Sequence, residues 1–162
     1  MNYESIDILT IAFVMSNLAG ALILWTAIKN TKVTRILLAV LFGWASWTNY
    51  RTANSSPKVY LEYSKESLAF YSEFINGWFS NHITLFVSAI AIGQGLIALG
   101  MLWRANGVRL ACWGAILFLM SIAPLGLYAA FPFSISVAIA AWVIIRKDDK
   151  DFLLKGLHRY AK

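Results

Sequence analysis

PKVYLEYSKESLAFYSEFINGWFSN, residues 57–81, is the stretch that decides the fold, because it is polar and aromatic while both of its flanks are almost wholly apolar. On a helix of 3.6 residues per turn, Leu61, Leu68, Tyr71, Phe74, Ile75 and Trp78 fall on one side. Glu62, Lys65, Glu66, Glu73 and Asn76 fall on the other, the pattern of an amphipathic helix. Ser56 stands where an N-cap belongs, Pro57 suits the first helical position and Gly77 loosens the far end, so the expected helix covers residues 57–80. Two placements fit it. The helix lies flat in a membrane interface with its aromatic face sunk about 5–10 Å at the headgroup boundary, or it packs over the mouth of a helix bundle with no ligand.

Outward from this stretch, the flanks establish the class. Of 162 residues, 59% are hydrophobic and 14% charged, and the mean hydropathy is +0.63. That is too little charge to coat a soluble domain. The expected fold is all-α: a polytopic membrane helix bundle forming a single transmembrane domain over residues 1–162, with five transmembrane helices and the extracytoplasmic interfacial amphipathic helix.

Toward the N-terminus lie spans at residues 8–28 and 34–50, and the link Lys29-Asn30-Thr31-Lys32 is short enough to make them antiparallel neighbours. Glu4 and Asp7, rather than a basic segment, precede the first span, which therefore reads as retained and not as a cleaved signal. Toward the C-terminus a span covers residues 83–103. The apolar run that follows is longer than one crossing needs and is interrupted by Pro124-Leu125-Gly126 and Phe131-Pro132. It divides into spans at 108–124 and 131–146 joined by a tight turn. A cytoplasmic tail, 147–162, carries Asp148, Asp149 and Asp151 ahead of a basic stretch. With Leu153, Leu157 and Tyr160 on one side, this suits a short interfacial helix and equally a frayed basic end.

Five crossings place Lys29, Lys32, Arg35, Arg104, Arg109, Arg146, Lys147, Lys150, Lys155, Arg159 and Lys162 on one side and leave Arg51, Lys58 and Lys65 opposite. By the positive-inside rule the N-terminus is then outside and the C-terminus cytoplasmic, in an integral protein of a bacterial inner (cytoplasmic) membrane. The net charge of +6 is scattered over short loops without a compact basic patch, so nucleic acid is not an expected partner.

No Asp, Glu, Lys, Arg or His falls in the middle of the five spans, whereas proton pumps and ion-coupled transporters need such groups. His82 and His158 fall on opposite sides and cannot share a haem or metal, so no metal site is expected. There is no phosphate loop, dinucleotide fingerprint or nucleophile elbow, and no catalytic residue is assigned. Cys112 is the single cysteine, which excludes an intrachain disulfide. Within the spans the polar side chains include Asn17, Gln94 and the hydroxyls of Ser16, Ser46, Ser88 and Ser121. Gln94 lies beside Ala91 and Gly95, four apart, which let another helix approach closely. Its amide either joins two helices or donates to a ligand carbonyl.

At the outer interface Asn49, Tyr50 and Arg51 end the second span, while Asn81 and His82 precede the third. A quinone or a lipid headgroup fits such a place, its tail between helices and its head on one or two donors beneath Tyr and Trp. Arg51 and His82 would hold the head, and Tyr71 and Trp78 would cover the tail. The candidate ligand-binding residues are Tyr50, Arg51, Tyr71, Trp78, Asn81, His82 and Gln94. Tyr, Trp and Arg at this depth also serve as plain membrane anchors. No intrinsic cofactor is expected. Quinone or bound lipid is the candidate ligand, and membrane lipids and other membrane-protein subunits are the expected partners.

Residues 35–146 resemble the DoxX/DoxD-like family of small four-helix membrane proteins. The likeness lies in Arg35-Ile36-Leu37-Leu38-Ala39-Val40-Leu41-Phe42-Gly43, in a long outer connection with a proline, and in a glycine-punctuated helix from Ile92-Gly93-Gln94-Gly95 to Leu102 that ends at a basic residue, Arg104. The span at 8–28 is additional, Gln94 stands where many members are acidic, and a lysine expected near Asn49 or Arg51 is missing. What the resemblance implies is association with quinone-linked redox complexes. Two roles follow: an auxiliary or structural subunit of a larger redox or respiratory complex, without catalytic groups of its own, or a quinone-linked oxidoreductase subunit that binds quinone at the outer leaflet.

Overall fold

Long apolar segments leave the backbone to satisfy its own hydrogen bonds, and a helix does so within one segment. The computed structural model of the chain, which describes residues 3–129, 131–149 and 151, is accordingly helical, with no strand among the described residues. Its α-helices are α1 (Tyr3–Lys29), α2 (Thr31–Ser55), α3 (Ala69–Asn76), α4 (Ile83–Leu102), α5 (Asn106–Ile122) and α6 (Phe133–Lys147). Among the described residues, three segments are long and apolar enough to cross a membrane: Thr10–Lys29, Ile83–Leu102 and Asn106–Gly126. That makes the chain compatible with a membrane protein.

The link between α1 and α2 is tighter than the sequence suggests. Asn30 alone lies between them, and its Oδ1 caps α2 by accepting from the backbone N–H groups of Lys32 and Val33 at 3.1 and 3.2 Å. α2 pairs chiefly with α4, α4 also packs on α5, α5 on α6, and α1 lies against α6 and α2. Where Ala91 and Gly95 thin α4, Ser46 of α2 comes close enough to donate to the Ala91 carbonyl at 2.6 Å. The core is correspondingly small-featured: Ala27, Ala39, Ala98, Ala111, Ala115, Ala138, Ala140 and Ala141 are buried with Leu38, Phe42, Met101 and Ile144. Large apolar side chains such as Trp25, Trp44, Trp47, Leu85, Leu96, Leu110 and Leu117 face outward.

At the end where α1 meets α2, the bundle is closed by charge. Arg35, counted above among the loop cations, is fully buried. Its Nε and Nη2 donate to the carbonyls of Met101 and Trp103 at 2.9 and 2.6 Å, serving the free carbonyls at the C-terminus of α4. Its Nη1 donates to the Asp151 carbonyl at 2.9 Å and pairs with Asp148 Oδ1 at 3.0 Å. The Asp148 side chain, 0% exposed and just past α6, also accepts from Thr31 Oγ1 at 2.5 Å. Thus Asp148 is a buried counter-ion. The rest of the expected tail helix, from residue 152 on, lies outside the described residues.

Three expectations about the connection are corrected. α2 does not stop at Tyr50 but runs to Ser55, because Ala53 is buried with Ile75, Phe79, Ile83 and Val87, and its carbonyl accepts from Thr84 Oγ1 at 3.0 Å. Ser56 makes no side-chain cap. And residues 57–80 are not one amphipathic helix: a 3-10 helix, Pro57–Lys65, is followed by a bend, then α3, then a 3-10 turn, Phe79–Asn81. The bend is imposed from outside the segment. Leu68 is extended, with φ −59° and ψ 150°, and its N–H donates to the Pro124 carbonyl at 3.2 Å. Alongside, Gly126 sits at φ 73°, and a Cβ there would lie 2.7 Å from the Glu66 carbonyl. Only glycine combines that backbone with that approach. The break turns Leu68 and Trp78 outward, 64% and 52% exposed, and leaves Ile75 as the buried residue of α3.

The expected divide between residues 108–124 and 131–146 is present as α5 and α6, separated by a 3-10 helix, Ala123–Ala129.

Candidate functional site

Breaking the connection makes it a roof. Beneath it, between α2, α4, α5 and α6, lies a cavity of about 600 Å³, within the usual range of roughly 300–1,000 Å³ for small-molecule sites. Tyr60, Tyr63, Tyr71, Phe74, Ile75, Phe79 and Leu125 form the roof side, and Phe42, Ile90, Gln94, Phe118, Leu119 and Ser134 line it among the bundle helices. Trp44 is also part of the wall and is 65% exposed, so the cavity reaches the outer surface of the bundle there. None of the described lining residues is charged.

The polar groups of this cavity form one chain with a free end. Tyr60 Oη donates to Asn49 Oδ1 at 2.9 Å, and Asn49 Nδ2 donates to Gln94 Oε1 at 2.9 Å. Gln94 is 3% exposed, and among the described residues its Nε2 has no acceptor. Ser134, on the first turn of α6, is fully buried, and its Oγ has no hydrogen-bond partner among the described residues. A buried donor left unmatched costs about 1–3 kcal/mol. The tyrosines remain neutral: burial raises the pKa of Tyr60, helped by Tyr63 and opposed by Thr52, and burial raises that of Tyr63.

The roof is stitched down at several points. Tyr71 Oη donates to the Ser121 carbonyl at 2.8 Å, in addition to the Leu68–Pro124 bond. Tyr60 and Tyr63 stack with centroids 6.0 Å apart, and Phe74 packs edge-on against Phe86 at 5.8 Å.

Of the seven residues expected to bind a ligand, Tyr71 and Gln94 line the cavity and five do not. Tyr50 faces a shallow groove on the outer side of α2 and α4 with Gly43, Ser46, Trp47 and Ala91. Arg51 is exposed, since α2 continues past it for another turn. Asn81 is exposed too. His82 and Trp78 serve each other: their rings stack at 4.3 Å, and His82 Nδ1 lies 2.9 Å from the Trp78 carbonyl. Gln94 thus lies on the cavity wall and Arg51 and His82 do not, because the roof folds over the inner face of α2 and not toward its end. Tyr60, Tyr63 and Ser134 were missed. An aromatic pair three apart after a proline was the available signal for the first two, and a serine at the start of a span carries none.

Comparison with protein-family models, curated proteins and solved structures finds no match to this chain.

Proposed function

We propose that the chain is an integral membrane protein of five spanning helices that holds one lipophilic molecule, a quinone or a lipid, in the cavity under the connection. It works as an accessory subunit of a larger membrane complex without catalytic groups of its own. The observation that carries this reading is an apolar cavity lined by a buried glutamine whose amide N–H groups have no acceptor among the described residues. The lateral reach of the cavity at Trp44 supports entry from the lipid.

Five crossings are supported by α2 and α6 running beside the three apolar segments, and by the inverted distribution of small residues inside and large apolar residues outside. In this topology the Arg35 end, with Lys29, Lys32, Arg104, Arg146 and Lys147, faces the cytoplasm and the roof faces out, at a bacterial inner membrane. The DoxX-like pattern of residues 35–146 is part of the proposal, and it favours quinone as the occupant and a redox complex as the setting. The absence of charged groups among the described lining residues favours holding over chemistry.

Purification in mild detergent followed by organic extraction tests the reading. A lipophile at about one per chain is expected, and Ala45→Phe, which fills the cavity from α2, should abolish it. Co-purifying partner chains with no retained small molecule in the unaltered protein would leave only a structural subunit.

A further inference from the structure

Resting on that cavity as the binding site, we infer that Tyr60, Asn49 and Gln94 form a two-way hydrogen-bond relay, which admits an uncharged head as either acceptor or donor and rejects an ionised one. The basis is the symmetry of the carboxamide. Turning an Asn or Gln side-chain amide by half a turn exchanges a C=O for an NH2 while the heavy atoms keep their places. Both contacts in this chain are 2.9 Å, a good length for N–H···O or O–H···O in either direction.

In the first sense, Tyr60 donates to Asn49, Asn49 donates to Gln94, and Gln94 offers an N–H to the cavity. A carbonyl oxygen on the occupant then accepts it. In the second sense both amides are turned: Gln94 donates to Asn49, Asn49 donates to the Tyr60 oxygen, and Gln94 offers its carbonyl to a hydroxyl on the occupant. The phenol still has somewhere to send its proton, because Tyr60 Oη also lies 3.4 Å from the Asn49 backbone carbonyl. Each sense leaves every member of the relay with a partner, the second through the longer contact of the phenol.

The relay is anchored at its far end by burial. Tyr60 belongs to the roof and its phenol is held neutral, so it can turn its hydrogen but not shed it. An ionised head would gain no counter-ion, since no described lining residue carries charge, and desolvating an unpaired ion is costly. The ligand class that follows is a lipophile with one neutral carbonyl or hydroxyl at its head, including a molecule that alternates between those two forms.

The test uses the full chain in lipid nanodiscs and alkyl probes of one length with a photoreactive diazirine in the chain. The probes end in a methyl ketone, a secondary alcohol, a pyrrole whose N–H donates without an acceptor beside it, a carboxylate or a plain methyl group. The pyrrole is expected to label like the ketone. Ketone and alcohol are expected to label peptides of the cavity wall to a similar degree, both well above the carboxylate. Gln94→Leu should lower both about tenfold, the effect of one ordinary hydrogen bond, while the plain alkane labels as before and so reports an intact cavity. Tyr60→Phe, which keeps the ring and removes the end of the relay, should weaken ketone and alcohol together.

Labelling by the ketone without the pyrrole, or the reverse, would overturn the two-way relay, and so would carboxylate labelling equal to that of ketone and alcohol or an unchanged Gln94→Leu pattern, while alkane labelling preserves the cavity. Failure of the alkane to label the unaltered chain would remove the binding site itself, and the relay with it.

Discussion

Arg35 and Gln94 are both buried polar side chains on neighbouring helices, and they differ in how fully they are matched. Arg35 uses four N–H groups on the carbonyls of Met101, Trp103 and Asp151 and on Asp148, at the end where α2 begins and α4 and α6 finish. Gln94, deeper along the same α2–α4 pair, accepts from Asn49, and its own NH2 has no acceptor among the described residues. A group with four of its five N–H donors bonded supports a structure, and an amide that spends neither of its own invites a partner. The same chain thus closes one end with charge and leaves beneath the other an apolar space with spare hydrogen-bonding capacity.

The largest expected effect lies at the closed end. Arg35→Met or Asp148→Leu alone strands a buried charge and should cost about 3–5 kcal/mol, whereas the two together should restore most of the loss. Unfolding in mixed micelles of increasing denaturing-detergent content measures this, and single variants as stable as the parent would erase the contrast between the ends. Next comes the roof. Gly126→Ala places a Cβ against the Glu66 carbonyl at positive φ and should cost about 2 kcal/mol. It should also loosen the Leu68–Pro124 attachment, read as faster amide exchange over residues 66–76 with the Arg35 end unchanged.

Removing a polar group under the roof should act in the opposite direction. Ser134→Ala deletes a buried hydroxyl that has no described partner and should stabilise the empty protein by about 1 kcal/mol. A loss of that size would instead reveal a partner for the hydroxyl.

The smallest effect belongs to Lys32 and Asp149, an exposed pair at 3.0 Å just outside the Arg35 cluster. The hydrogen bond from Lys32 holds the Asp149 carboxyl below its ordinary value of 3.8, and Asp149 raises Lys32 above 10.5. Any contribution from Asp149 is complete above pH 3.8 and lost as pH falls through its lower folded value. That from Lys32 is complete below 10.5 and lost as pH rises past its raised value. Asp149→Asn should leave the unfolding midpoint at neutral pH within error, more so at high salt.

How far the sequence foretold this depends on the range over which each feature is determined. The helical bundle and the division at Pro124–Gly126 are local matters of hydropathy and of glycine and proline, and both are readable. Gln94 is readable as well, being a lone amide in an apolar run. The break at Leu68 is not, because the 3.6-residue pattern from Leu61 to Trp78 is intact and the disruption comes from a carbonyl 56 positions further on, that of Pro124. Nor is the Arg35–Asp148 pair, since each residue looks like ordinary charge at the end of a span and their 113-residue separation leaves no trace in composition. Arg51 and His82 were chosen for their chemistry, and it is the path of the roof that keeps them from the cavity.

That 113-residue separation also sets a timetable for biogenesis. At about 5–20 residues per second, Arg35 is added to the chain roughly 6–23 s before its carboxylate. Met101 and Trp103, whose carbonyls also hold the cation, are made before the carboxylate, which comes with the end of α6. A chain halted before Asp148 would lack this counter-ion, and keeping the guanidinium buried would then cost about 3–5 kcal/mol, so the ion pair ties the last helix to the second.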